Sequence, residues 1–491
     1  MCSGKSHHEG CVNRREFLQT VGAGATLATL LPKPFWGGAA LAAEPIQKTV
    51  KRKTRLRAAF LYPPTSQLEE EGYFSWPGST FGAEERHREY TQAFKNLETR
   101  MGLSIECAAE PLYTPDHIQR FVKMIQEDKP DGVLLTVFKK TLWQSHGLEI
   151  LDQTGLPTIV LAPLGALLIG SVHQLADRKG VHIISSENPT RDLDFPLTMI
   201  NTSVQMAQSV IVNIDGEERK EKMVPPFGTK VLTIPHQVFY EAFNQTGETE
   251  EVKALAREYL SHAVEVVEPD EKDVTDAARC YFALKKVIES EHADALMMNC
   301  LPGLMKPHKH VPPCMGFMSL RDEGIVAGCQ SDLDATLTLM LLQSLFGKPG
   351  FQHNPSIDTV NNLYFCAHCT SASKMRGVDQ APEPVALRNH AEAGWGCVPR
   401  VLFTEGQEVT ITEYLAGETP QLLLYSGKIQ RCPPIPPAGG CRTNAETTIN
   451  ELKDVSDLKE GGHMCMVYGD YTKELKQFCQ FNGIEVYPPA A

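Results

Sequence analysis

From Leu56 the chain alternates short apolar runs with stretches whose apolar residues recur every three or four positions. Arg57-Ala-Ala-Phe-Leu-Tyr62, Asp131-Gly-Val-Leu-Leu-Thr136 and Pro157-Thr-Ile-Val-Leu161 are runs of the kind that strands buried on both faces require. Between them, Ala93–Met101 and Asp116–Glu127 have helical spacing and Leu103–Ala108 reads as extended. Strand–helix–strand alternation predicts a parallel sheet with helices on both faces. No G-x-G-x-x-G follows the first strand, which argues against a dinucleotide-binding domain. A second zone of the same style runs from about Gly180 to Gly347, with strands at Lys230–Ile234 and Ala293–Met298 and helices at Glu250–Val264, Thr275–Ser290 and Asp332–Leu345. The last of these has the apolar density of a buried helix, and Gly347-Lys-Pro ends it.

Beyond Asp358 the pattern changes. Short apolar runs (Leu363–Cys366, Glu408–Ile411, Gln421–Leu424, Met464–Val467) are separated by Gly, Pro and polar turns, and the chain closes with a helix at Lys473–Phe481 and a strand at Ile484–Tyr487. The expected fold is α/β: two Rossmann-like, parallel-sheet domains over residues 55–178 and 179–357, then a smaller β-rich domain over residues 358–491.

The first 43 residues do not belong to this pattern. Asn13-Arg-Arg-Glu-Phe17 precedes a weakly apolar, Gly/Ala-rich run from Val21 to Leu31, and Ala39-Ala-Leu-Ala-Ala43 supplies small residues for cleavage. This is the order of an export signal of the twin-arginine type, and it predicts a partner in the twin-arginine machinery and a periplasmic destination. The run is shorter than the ~20 residues a membrane span needs, and Pro32 and Pro34 interrupt it. The whole chain carries a formal charge of −13, and the signal is itself basic, so the remainder is more acidic still. Such a protein is not expected to seek nucleic acid or anionic lipid. Of the cysteines beyond the signal, Cys432 and Cys441 bracket a Pro/Gly-rich loop and are the best placed for a bridge. Cys366 and Cys369 form a C-x-x-C around His368 that suggests zinc or redox chemistry but lacks the second half of a structural zinc site.

Three places carry candidate chemistry. Asp322, Glu323, Asp332 and Asp334 cluster where a strand hands over to a helix, which in a parallel sheet is the end where ligands bind. An N-cap accounts for one of these acids equally well. His368 ends the short strand Phe365-Cys-Ala-His368, where a hydrogen-bonded core histidine is the plainer alternative. Gly461-Gly-His463 precedes the run Met464–Val467, and its paired glycines fit either a close backbone approach or a structural turn.

Taken in order, Asp322-Glu-Gly-Ile325, Cys329-Gln-Ser-Asp332, His368-Cys-Thr370 and Gly461-Gly-His463 through Tyr468-Gly-Asp470 resemble the L-fucose isomerase family, which shares its fold with L-arabinose isomerase. The resemblance implies three domains, a trimer-based hexamer, and an active site between the second domain and the β-rich one. It implies a divalent metal, usually Mn²⁺, held by a glutamate, an aspartate and a histidine, and interconversion of aldoses and ketoses. By position Asp332 matches the aspartate ligand and His463 the histidine ligand. Moving a carbonyl between C1 and C2 needs a base for the C2 proton and a hard cation on the sugar oxygens.

The sequence departs from the family at the glutamate. Lys306–Ser319, where it is expected, contains no acid, and Glu323 is the nearest glutamate. Gln330 stands where related sequences carry an acid, and His308 and His310 are imidazoles able to substitute as ligands. The expectation is therefore an isomerase of a deoxy- or pentose sugar with Glu323 and Asp332 catalytic, Asp332 and His463 on the metal, and His368 and Gln330 on the sugar. The alternative is an exported carbohydrate-binding relative that has lost catalysis with the glutamate.

Overall fold

The structure, a computed structural model, describes residues 51–70, 81–175, 178–305, 310–435, 440–459 and 461–488. The export signal expected over residues 1–43, and His308, lie outside the described residues.

The first sheet holds β1 (Arg55–Leu61), β2 (Ser104–Cys107), β3 (Gly132–Val137), β4 (Thr158–Pro163) and β5 (Val181–Ser186), in the order β2-β1-β3-β4-β5, all parallel. Successive side chains point to opposite faces. Ala58, Phe60, Leu134 and Ile159 therefore pack on one side with Tyr90, Phe94 and Leu97 of α1 (Ala83–Met101). Ala59, Leu61, Val133 and Val160 pack on the other with Phe121, Val122 and Ile125 of α2 (Pro115–Asp128), whose first turn is capped by Thr114.

The second sheet holds β6 (Val210–Ile214), β7 (Lys220–Val224), β8 (Thr229–Ile234), β10 (Ala295–Met298) and β11 (Val326–Cys329), in the order β11-β10-β6-β8-β7. It is parallel except for β7, an antiparallel edge strand. On one face lie α4 (His236–Gln245), α5 (Glu250–His262), α6 (Glu271–Ser290) and α7 (Cys314–Asp322); on the other lie α3 (Asp194–Gln208) and α8 (Leu333–Phe346). Helix α8 is apolar nearly all round because it is covered all round: it packs against β10 and β11 of this sheet and against two strands of the next.

The C-terminal part is a barrel. β12 (Phe351–Asp358), β13 (Leu363–His368), β16 (Glu408–Leu415), β17 (Gln421–Arg431), β18 (Thr443–Ile449) and β19 (Met464–Tyr468) run in the order β16-β19-β12-β13-β18-β17, and β16 pairs back with β17 to close the circle. β20 (Glu485–Tyr487), which follows α9 (Thr472–Asn482), adds to the outside of β17. A small sheet of β9 (Ala263–Val266), β14 (Val385–Arg388) and β15 (Val398–Val401) ties the barrel's connections to the second α/β region. Sheet membership changes slightly off the expected breaks, since β5 begins at Val181 and belongs to the first sheet, and β12 begins at Phe351 and belongs to the barrel.

Among the described residues no helix is long and apolar enough to cross a membrane. The expected bridge is not formed: Cys432 donates to the Phe403 carbonyl, while Cys441 accepts from Asn354 and carries no bond to Cys432. The C-x-x-C is also split by strand geometry. Cys366 turns to the Ala445 carbonyl, whereas Cys369 lies past the strand end beside His368.

Candidate functional site

The site lies at the seam between the second sheet and the barrel, at the amino end of α8. After Cys329 closes β11, Gln330 and Ser331 both adopt left-handed backbone (φ 56° and 52°), uncommon for residues with side chains. This turn is held by the Ser331 hydroxyl donating to Asn213 Oδ1 at 2.6 Å, and it delivers Asp332 to the N-cap of α8. Asp332 Oδ1 accepts from the Ala335 N–H at 2.9 Å. Its second oxygen, Oδ2, accepts from His463, from Nδ1 at 2.7 Å and from the backbone N–H at 3.2 Å.

His463 reaches this position because of the glycines before it. The N–H groups of Gly461 and Gly462 donate to the two oxygens of Glu413 on β16, at 2.9 and 3.0 Å. A Cβ on Gly461 would stand 2.5 Å from both of those oxygens, and one on Gly462 would stand 2.9 Å from Asp332 Oδ2. Only bare backbone fits between the two carboxylates. The close-approach reading of these glycines therefore holds over the simple turn.

The electrostatics follow. Burial works against ionisation of Asp332, but the bonds from His463 and the Ala335 N–H outweigh it and hold the carboxyl below its usual range. Glu413 goes the other way. Burial, opposed by the glycine N–H groups and reinforced by the charges of Asp332 and Asp334, pushes it up to about 7. Asp334 is also raised, first by burial. Two neighbouring carboxyls driven apart in this way separate a fixed charge from a group that titrates near neutrality.

Asp332, as an anion on Nδ1, fixes His463 in the tautomer that leaves its lone pair on Nε2. That Nε2 is buried and has no hydrogen-bond partner among the described residues. His368, at the end of β13, packs its ring edge-on at 5.1 Å and also has a buried Nε2 without a partner among the described residues. Burial first, and the nearby His463 and Arg321 after it, hold His368 well below its ordinary value, so it is neutral.

Asp332, His463 and His368 are thus brought together, with Gln330 in the strained turn leading into Asp332. Glu323 is not brought to them. It ends α7, where its carboxylate accepts from the Tyr281 hydroxyl, and its charged neighbours are Lys285 and Lys374. These partners, and not Asp332 or His463, are the ones the expected base Glu323 meets at the end of α7. His310 stacks on Tyr240 at 4.2 Å, inside an aromatic cluster with Phe239 and Phe243. Glu413 was the residue sequence reasoning missed. Its signal was present: a lone acid in Val409-Thr-Ile-Thr-Glu-Tyr-Leu415, a strand otherwise suited to burial.

No family model matches the chain. Three curated proteins are similar over part of it, from Priestia aryabhattai (24% identity over 224 residues, 44% of this chain and 48% of the relative), Alkalicoccus urumqiensis (23% over 265 residues, 51% and 56%) and Clostridium sp. strain MSTE9 (24% over 276 residues, 53% and 58%). Each is named sulfoquinovose isomerase. The chain spans about half the length of the relatives it matches.

Proposed function

We propose that this protein is a sugar isomerase interconverting an aldose and its ketose at the Asp332–His463 site. The observation that carries the reading is His463 Nε2, buried, unpartnered and fixed with its lone pair free by an ionised Asp332. Partial similarity to sulfoquinovose isomerases supports the same reaction class, and sulfoquinovose joins L-fucose and L-arabinose as a substrate to screen.

The residues present fit a divalent cation in part: one carboxylate and one imidazole with an orphaned nitrogen can hold a hard ion such as Mn²⁺. Asp332 and His463 would hold it, and it would supply charge for the sugar oxygens as the C2 proton moves. His368, neutral and buried, hydrogen-bonds a sugar oxygen through Nε2. Glu413 is a positioning residue: it holds the Gly461-Gly462 backbone, and its protonation sets the charge beside Asp332. Burial of His463, His368 and Glu413 beside a half-buried Asp332 limits the water that reaches the proton being transferred.

The test is ketose formation from sulfoquinovose, L-fucose and L-arabinose, followed by NMR, with added Mn²⁺ and after chelation. We expect conversion of one sugar, lost by at least about 1000-fold in His463→Ala and Asp332→Ala. The second reading, an exported carbohydrate-binding relative without catalysis, draws on the placement of Glu323 away from the site. Sugar binding by calorimetry with no conversion under any condition would establish it and overturn the isomerase reading.

A further inference from the structure

The isomerase reading makes no use of the sulfur atoms gathered near the site. Cys329 ends β11 three residues before Asp332, and His368 and Cys369 stand at the end of β13, so the second sheet and the barrel meet there. All three are buried, Cys329 and His368 at 0% exposure and Cys369 at 4%. One potential ligand atom from each lies within 4.8 Å of the other two. His368 Nδ1 is 3.6 Å from Cys369 Sγ, and the Cys329 thiol donates to the Cys369 sulfur.

This spacing fits one ion at the centre of a triangle. With the ~2.3 Å and ~2.0 Å bonds that sulfur and nitrogen make to Zn²⁺, a three-coordinate ion holds its two sulfurs about 4.0 Å apart and each sulfur about 3.7 Å from the nitrogen. Donor chemistry then selects the ion. Two thiols and an imidazole, with no oxygen among them, suit a soft ion such as Cu⁺ and not Mg²⁺, Ca²⁺ or Mn²⁺. Zn²⁺, isoelectronic with Cu⁺, takes the same atoms but asks for a fourth ligand, and burial of all three donors keeps bulk water from supplying it. Cu⁺ is satisfied with three. Two thiolates around it leave one negative charge, part of which is offset by Arg321, whose charged neighbours include Cys329, Cys369 and Asp322.

We propose that Cys329, His368 and Cys369 bind one Cu⁺ ion in a trigonal site that ties β11 to the barrel strand β13. The ion enters with loss of two thiol protons to solvent and no change in its oxidation state. Ligation through His368 Nδ1 leaves the ring proton on Nε2, the donor that the isomerase reading assigns to the sugar. Cys314 belongs to a separate group with Cys369 and His390, but Nδ1 of His390 already accepts the Ala393 N–H. Cys300 Sγ is 3.8 Å from Cys329 Sγ and belongs to neither group. Copper binding needs no sugar chemistry and stands or falls apart from the isomerase reading.

The test uses the full-length chain, reduced and then freed of reductant under anaerobic conditions. Cu⁺ is supplied as its acetonitrile complex in the presence of bicinchoninic acid, whose coloured copper complex fades as the protein takes the ion. We expect one Cu⁺ withdrawn per chain, a thiolate-to-copper band in the ultraviolet, and X-ray absorption at the copper edge that counts two sulfurs and one nitrogen. The absorption spectra of the wild type need no variant to fold. Cys329→Ser and Cys369→Ser should each abolish the withdrawal. Asp332→Ala, which removes an oxygen donor, and Cys479→Ser, which alters a buried thiol in α9, should retain it. Failure of folded wild-type protein to draw Cu⁺ from the chelator would overturn the proposal. So would an oxygen in the copper shell, retention of binding in Cys369→Ser, or tightly bound Zn²⁺ that Cys369→Ser releases. A native disulfide joining Cys329 to Cys300 or Cys369 in non-reducing peptide mapping would overturn it as well.

Discussion

Replacing Gly461 with alanine tests whether the paired glycines exist to let Glu413 grip the loop that carries His463. Gly461 does not have positive φ, so alanine meets no backbone penalty there. The added Cβ would instead lie 2.5 Å from both Glu413 oxygens, and the carboxylate cannot retreat without releasing the two glycine N–H groups. Each hydrogen bond to a charged group contributes about 1.5–3 kcal/mol, and the stiffer unfolded chain returns about 0.4–1 kcal/mol, so the loop should lose about 2–5 kcal/mol. At about 1.4 kcal/mol per tenfold, exchange of the 461–468 amides read by hydrogen–deuterium mass spectrometry should quicken by roughly 30-fold to several thousand-fold. Gly247→Ala is the control, because nothing lies within 4 Å of its Cβ. Adding Glu413→Asp withdraws the carboxylate by one methylene and should recover part of the loss, a coupling that a double-mutant cycle isolates. Unchanged exchange in Gly461→Ala, or a loss that Glu413→Asp does not relieve, would refute the close-approach argument.

Other outcomes follow from the same structure. Glu413, raised to about 7 from an ordinary value near 4.5, makes the folded state hold its proton longer than the unfolded one. Its contribution to stability is therefore full at low pH and declines as pH rises from about 4.5 to about 7. Glu413→Gln should remove an inflection near pH 7 from the activity profile, and it should loosen the loop because an amide cannot accept from both glycines. Asp322 is buried, accepts from the Ser373 N–H and hydroxyl and from the Lys374 N–H, and is pushed up to about 6 mainly by burial. Asp322→Asn keeps the oxygen that takes both N–H groups and lets the Ser373 hydroxyl turn to accept, so at pH 8 it should match or exceed wild-type thermal stability. By contrast, Asp322→Ala leaves three donors unpaired and should cost at least about 3 kcal/mol in a urea titration. Intact-mass analysis of exported protein should find a start near Ala43 or Glu44, and a start at Met1 in that fraction would count against the twin-arginine reading.

The two α/β regions were legible because strands buried on both faces must be apolar throughout, as β3 and β4 are, and the chain shows such runs locally. The antiparallel strand β7, Lys220–Val224, was not: it lies at a sheet edge with four of its five residues exposed, so its composition is that of a loop. Likewise, α1 begins ten residues before the apolar spacing at Ala93 because its first turns, rich in Glu and Arg, face solvent and bury little beyond Tyr90. The β-rich character of the C-terminal part was readable from its short runs, but closure of the barrel through β16 and β17 is a matter of pairing that no local pattern encodes.

The site divides in the same way. Asp332 and His463 are candidates by resemblance, yet they are 131 residues apart, and nothing between them announces the bond that sets the histidine's tautomer. Glu323 was chosen because it was near Asp332 in sequence, but the end of α7 turns it toward Tyr281, whereas Glu413 arrives from a strand 81 positions later. Proximity along the chain selects acids that share an element; proximity in the barrel selects acids that share a face. The chemistry at this seam depends on the second kind, since the charge on Asp332 and the proton on Glu413 act on each other only because β16 and α8 pack together.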